Sequence, residues 1–273
     1  MRHAIMVMGY GNIASVLQST INVLDSYNID FFIHWDARYK LPMLTSQKSK
    51  LYFLKNRISV HWGSGDQIKT ELLLMNEVNK NNNDYDYVHL ISSNDAPLMD
   101  SDYFEKYFEN EVYIGFDKKI TQDIENRIKF YYPCGIDYRK HVNIRRLFKY
   151  GNSFFKINKL NKFNVKVEKG PNWFSMKAKY INEVLNYNND IFKNTFCGDE
   201  IFLQIILARF KSQRLNYTDV NEQALRYVDW KRGRPYTFTL RDIDELKDKK
   251  NTHFAFVRKI KDPLIILKLY DIK

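Results

Sequence analysis

Two acids in succession, Asp199 and Glu200, head the run CGDEIFLQIIL (197–207), which is otherwise almost wholly apolar. Acids in the first turn of a helix satisfy unpaired N–H groups and meet the positive end of the helix dipole. A carboxylate at the rim of a cleft has a second use, taking the proton of a hydroxyl as that oxygen attacks an electrophile. The residues alone leave both uses open. A second group lies in HLISSNDAPL (89–98), where an apolar strand breaks into Ser92, Ser93, Asn94 and Asp95. Polar groups at the carboxyl end of a central strand are where open α/β sheets bind ligands, although the same residues also build Asx and ST turns.

A third group joins RYVDWKRGRPYTFT (226–239) with FAFVRKIK (254–261). Its arginines can bind a diphosphate bidentately and its lysines as point charges, without a metal; a solvated charged edge is the plainer reading. The fourth group, GYGNIA (9–14), matches G-x-G-x-x-A between a strand and a helix, with Asp36 closing the next strand. That pattern suits NAD(P) and an oxidoreductase, but its glycines also serve any tight strand-to-helix turn. The D-x-D triplets are poor metal sites. Asp242 stands three residues after Thr239, as in a capping box, DYD (84–86) precedes its strand, and DSD (100–102) opens a helix.

The elements that must position these residues alternate along the first hundred positions. Strands are expected at 3–9, 30–36, 57–62 and 85–92, and helices at 12–27 and 66–81. Short apolar runs between amphipathic helices predict a mostly parallel sheet covered on both faces, a Rossmann-like α/β architecture. Residues 117–168 are irregular, rich in Tyr, Phe, Lys and Asn, and predict loops and short helices. Beyond them the pattern gives strands at 164–170, 224–230 and 253–259 and helices at 177–187, 199–210 and about 240–248. One domain of 273 residues is expected, with halves 1–116 and 117–273.

Composition bounds the function less tightly. Hydrophobic residues make up 44% of the chain, enough for a sizeable core. No apolar window reaches membrane-span length, the first residues do not read as a signal peptide, and two cysteines, Cys134 and Cys197, make no disulfide framework, which together suggest a cytoplasmic protein with reduced thiols. With 43 Lys and Arg against 32 acids the formal net charge is +11, which suits nucleic acid, an anionic membrane or a phosphorylated small molecule. In 145–169 aromatics alternate with cations. Single-stranded nucleic acid, a bilayer interface and a solvated amphipathic connector all fit that stretch, and a non-catalytic basic binding module is one outcome.

Taken in order, FFIHWDA, VHWGSGDQIKTELLLM, YDYVHLISSNDAPL, KGPNWFSM, CGDEIFLQIIL, LRYVDWKRGRPYTFTLRDIDEL and FAFVRKI resemble the core-2/I-branching β-1,6-N-acetylglucosaminyltransferases and peptide O-xylosyltransferases (glycosyltransferase family 14-like), in particular their shorter bacterial relatives. The resemblance covers nearly the whole chain except roughly 117–160. It implies a GT-A-type fold and an inverting transfer from a UDP-sugar donor, with no divalent metal and no further cofactor. By position, Glu200 falls on the catalytic base, with Asp199 as helix cap beside the substrate, and Lys259 on the diphosphate-binding lysine. Arg234, or failing it Arg232, is the partner arginine. Asp36 matches the acid near the uracil, Gly9 and Tyr10 lie where the first strand meets the base, and Asp95, Asn172 and Trp173 fall at the substrate. The partner implied is a glycan or lipid-linked oligosaccharide, not nucleic acid, met in peripheral contact with the anionic inner face of the cytoplasmic membrane during surface polysaccharide assembly. Two features depart from the pattern: Phe256-Val257-Arg258-Lys259 stands where relatives have Phe-Ala-Arg-Lys, and the cysteine pairing and membrane anchor are missing.

Overall fold

The computed structural model describes residues 1–81, 84–213 and 217–272, with only the backbone of Ser212 and Gln213. Strands β1 (His3–Gly9), β2 (Ile29–Trp35), β3 (Leu51–Phe53) and β4 (Tyr87–Ser92) run parallel, while β7 (Phe174–Lys177) pairs antiparallel with both β4 and the edge strand β6 (Val112–Ile114); the order across the sheet is β3-β2-β1-β4-β7-β6. A smaller sheet, β5-β9-β8, joins β5 (Asp95–Pro97), β8 (Arg226–Val228) and β9 (Phe256–Arg258).

Strand alternation decides the layers. Ala4, Met6, Phe32, Val88 and Leu90 point to one side, where α2 (Asp66–Lys80), α6 (Ile181–Asn186) and α7 (Asp199–Ile206) cover them. Ile5, Val7, Phe31, Ile33 and Ile91 point to the other, against α1 (Ser15–Leu24), α3 (Ser101–Tyr107) and Phe256 of the small sheet. Helices on both faces of a six-stranded, mostly parallel sheet are the α/β, GT-A-like architecture expected. The irregular middle holds α4 (Gln122–Lys129) and α5 (Val142–Phe154); α8 (Val220–Gln223), α9 (Ile243–Lys247) and α10 (Leu264–Leu269) follow. The chain leaves β1 toward β2 on one side and reaches β4 on the other, so the strand order reverses between β1 and β4. A crevice opens at the carboxyl ends of the strands at such a point.

Three expectations need correction. Residues 57–62 form no strand: the amides of Ile58 and Val60 are taken by the His34 ring and the Asp36 carboxylate, so the segment wraps over the end of β2 and the edge strand is β3. Residues 164–170 are likewise irregular, because Gly170 and Pro171 turn the chain before it enters the sheet as β7. Helix α10, which buries Ile265, Ile266 and Leu269, went unforeseen. The Thr239–Asp242 capping box and the Asp100 cap of α3 are present as read.

Candidate active site

At the reversal point the loops after β1 and β4 meet, Tyr10 N–H donating to Ser93 Oγ at 3.4 Å. Tyr10 is exposed beside this contact. Gly9 is needed for a reason internal to the sheet: a Cβ there would stand 2.0 Å from the Trp35 ring, whose indole N–H donates to Gly11 O at 3.0 Å. Trp35 therefore fills the space beneath the GYG turn, and the glycine spacing is a packing device. Asp36, at the end of β2, is buried and held bidentately by Arg38, with Arg38 Nη2 at 2.6 Å, and accepts Val60 N–H at 3.3 Å. Burial pushes its carboxyl up, but these hydrogen bonds outweigh it and leave the pKa below the usual value.

Asp95 is also buried, and both its oxygens are engaged, Oδ2 by Ser92 N–H at 2.6 Å and Oδ1 by Arg258 at 2.8 Å. Its work is to aim Arg258, whose guanidinium lies 4.1 Å over the Trp173 ring. The next residue, Lys259, is half-buried; burial first, then the charges of Arg258, Lys261 and Arg139, push its ammonium below the usual value. Lys259 bonds through its backbone to Tyr236 and Phe238, which brings the exposed Arg234 two residues away along the partner segment. Among the described residues Lys259, Arg139 and Arg234 make no ion pair. Arg232, the second choice for a diphosphate, is occupied: it pairs with Asp229, with Asp242 at 2.9 Å and with Glu245 at 2.6 Å. Arg226 is buried inside the fold, donating to the carbonyls of Leu90, Phe174 and Ala224, so it clasps the two sheets together.

Glu200 stands in the first turn of α7 with its side chain 36% exposed. Arg127 of α4 holds Oε2 at 2.9 Å and Lys169 approaches the same oxygen at 3.6 Å. Oε1 has no hydrogen-bond partner among the described residues. The carboxylate borders a cavity of about 370 Å³ lined in part by Trp62, Arg145, Arg146, Lys149 and Tyr150. Trp62 links this cavity to the diphosphate-binding candidates, because Arg139 lies 4.5 Å over its ring.

Asp199 is not the cap. Gly198 occupies that position without a side-chain bond, since a Cβ there would come 2.1 Å from Thr195 Oγ1. Asp199 instead turns inward, accepts from Gln67 Nε2 at 3.0 Å and leaves Oδ1 unpartnered. Burial, then the charge of Glu200, raises its pKa to about 7. Behind it Glu71 of α2 is fully buried with neither oxygen hydrogen-bonded, and burial followed by the nearness of Asp199 raises its pKa well above normal. The two adjacent acids thus have opposite surroundings, one polar and open, the other enclosed.

A five-residue strap, 169–173, joins the two halves of the site. At one end Lys169 faces Glu200, and Gly170 N–H donates to the Glu200 carbonyl at 2.9 Å; at the other, Trp173 lies under Arg258. Gly170 packs so tightly that a Cβ would fall 1.9 Å from Gly115 O, and Gln204 fixes Pro171 O at 2.8 Å. Asn172, half-buried, sits in the middle of the strap. Sequence reasoning missed Arg127, Arg139, Lys169 and Trp62. Lys169 adjoins the KGPNW motif and was within reach; Arg127 and Arg139 lie in the irregular segment, where no local pattern announces what a side chain meets 60 or more positions away.

With this geometry in place, a comparison with known families finds one match: the family described as Core-2/I-Branching enzyme covers residues 4–251. No curated protein matches the chain.

Proposed function

The chain belongs to the core-2/I-branching enzyme family of glycosyltransferases, and from that premise we propose that it transfers a sugar, N-acetylglucosamine or a related hexose or pentose, from a UDP-sugar to a hydroxyl of a glycan or lipid-linked oligosaccharide, with inversion and without a divalent metal. The observation that carries this reading is Glu200, held by one oxygen at the border of a cavity and joined through Lys169 to a strap whose far end lies under Arg258, next to Lys259. A carboxylate oxygen accepts the acceptor's hydroxyl proton as the hydroxyl oxygen attacks C1 of the donor sugar from the face opposite UDP. The C1–O bond to the diphosphate breaks and its electron pair passes to the phosphate oxygen. Lys259, Arg139 and Arg234, which pair with no acid among the described residues, are suited to offset that charge, which makes the site strongest where charge develops.

Arg127 and Lys169 fix the direction of Glu200, and Arg127 also lies 5.6 Å over Phe196, which limits its own movement. Among the described residues no helix is long and apolar enough to cross a membrane. The assignment to surface polysaccharide assembly at the inner membrane face follows from the basic surface and belongs to this proposal. Its test is release of UDP from a panel of UDP-sugars in excess EDTA, beside calorimetry with UDP. One donor hydrolysed or transferred, and UDP bound, is the expected result. Stabilisation by NAD(P) with no response to UDP would return the GYGNIA turn to an oxidoreductase.

A further inference from the structure

Helix α5 turns an apolar stripe away from the protein. Leu147, Tyr150 and Phe154 fall on one side of the helix and are 70%, 71% and 80% exposed; Phe155, directly after it, is 72% exposed. The stripe is held in place from behind. Asn152, on the opposite side, is buried and donates to Tyr131 O at 3.0 Å and Phe148 O at 2.7 Å, while Phe148 packs on the cluster of Tyr132, Tyr138 and Phe196. Single exposed apolar residues are ordinary on a soluble surface, but four large ones together with a charged rim mark a contact surface. The rim here is mainly cationic: Arg146, Lys149 and Lys156 are exposed around it, Lys149 paired with the exposed Asp123 at 2.7 Å, and between Asp137 and Glu168 the chain has nine Lys and Arg and no acid.

Charge selects the occupant. A second copy of the chain would bring the same cationic rim to the contact and be repelled. A single nucleic acid strand needs flat rings on which successive bases can stack, whereas the stripe begins with the aliphatic Leu147, and Phe154 and Phe155 stand edge to face at 87°. An anionic bilayer satisfies both parts at once, its acyl boundary taking the apolar side chains and its phosphates the cations. We infer that α5 is the docking face of this protein for an anionic lipid surface. Tyr150 of the stripe, with Arg145, Arg146 and Lys149, also lines the cavity that Glu200 borders. Docking therefore opens that cavity beside the headgroups, where the hydroxyl of a lipid-linked acceptor is presented; this last consequence rests on the proposed function, and the docking itself does not.

The experiment is flotation of the full chain with vesicles of phosphatidylcholine alone and of phosphatidylcholine with phosphatidylglycerol. The protein should float with the anionic vesicles, fall off as salt is raised, and stay behind with the neutral ones. Leu147→Ser/Phe154→Ser/Phe155→Ser should reduce the bound fraction by about tenfold or more, given the apolar area withdrawn from the bilayer. Its melting temperature and UDP affinity should not change, since these side chains project into solvent. Lys156→Glu should weaken binding in the same direction. Equal binding to neutral vesicles, or a triple variant that floats like the parent, overturns the inference. So does light scattering that finds a dimer which the triple variant dissociates, or anisotropy that finds oligonucleotide binding lost in it. Absence of any glycosyl transfer would not bear on these readouts.

Discussion

Replacing Glu71 by Gln should stabilise the protein, and the gain should grow with pH. Glu71 is fully buried, neither of its oxygens has a hydrogen-bond partner, and its pKa lies well above the ordinary 4.5 through burial and then the nearness of Asp199. In the folded chain burial favours its protonated form. In the unfolded chain it ionises above about pH 4.5, and each further pH unit favours unfolding by about 1.4 kcal/mol until the folded pKa is reached. Gln does not ionise in either state. Urea unfolding of both proteins at pH 5, 6, 7 and 8 should give curves that nearly coincide at pH 5 and separate progressively. Asp199, with its pKa near 7, adds to the decline of both up to that pH. A variant less stable at every pH, or a difference that is flat in pH, would mean that Glu71 is ionised in the folded state and refute the argument.

Other outcomes follow from the cation arrangement. Lys259→Ala and Arg139→Ala should each weaken UDP binding by about tenfold or more by calorimetry, as expected for a charged hydrogen-bond donor removed from a diphosphate. Arg232→Ala should lower the melting temperature, because three acids lose their partner, yet leave UDP affinity unchanged. Arg258→Met should destabilise the fold by about 3–5 kcal/mol by leaving buried Asp95 unpaired, and adding Asp95→Asn should recover part of that loss in the melting curve. Transfer, or hydrolysis of the UDP-sugar, should persist in excess EDTA; full loss restored by Mn²⁺ would assign the charge compensation to a metal.

The sequence displayed its sheet where apolar runs are long. The runs at 3–9 and 85–92 read directly as strands because β1 and β4 are buried on both faces. It failed at 57–62, whose apolar residues look like a strand until the side chains of His34 and Asp36 take up the amides, a contact made across more than twenty positions. In the candidate site, Glu200 and Lys259 could be singled out because their motifs are continuous. The exchange of roles between Asp199 and Gly198 was not, since it depends on Thr195 excluding a Cβ at 198 and on Glu71 and Gln67 arriving from α2. Arg127, the residue that fixes Glu200, comes from a stretch whose composition suggested only surface. Likewise the cations and aromatics of 145–169 read first as a solvated connector and second as an interface, and it is the exposure of Leu147, Phe154 and Phe155 that favours the interface.

Glu200→Gln decides whether Glu200 takes the acceptor proton. The amide keeps the size of the carboxylate and can still accept from Arg127 through its oxygen, but it cannot accept a proton from the acceptor. Steady-state transfer, UDP affinity and melting temperature should be measured side by side for the parent and the variant. Turnover should fall on the order of 10²–10⁴, with UDP affinity near that of the parent and no compensating loss of stability. Turnover within a few-fold of the parent, in a variant that folds and binds UDP normally, would contradict the assignment.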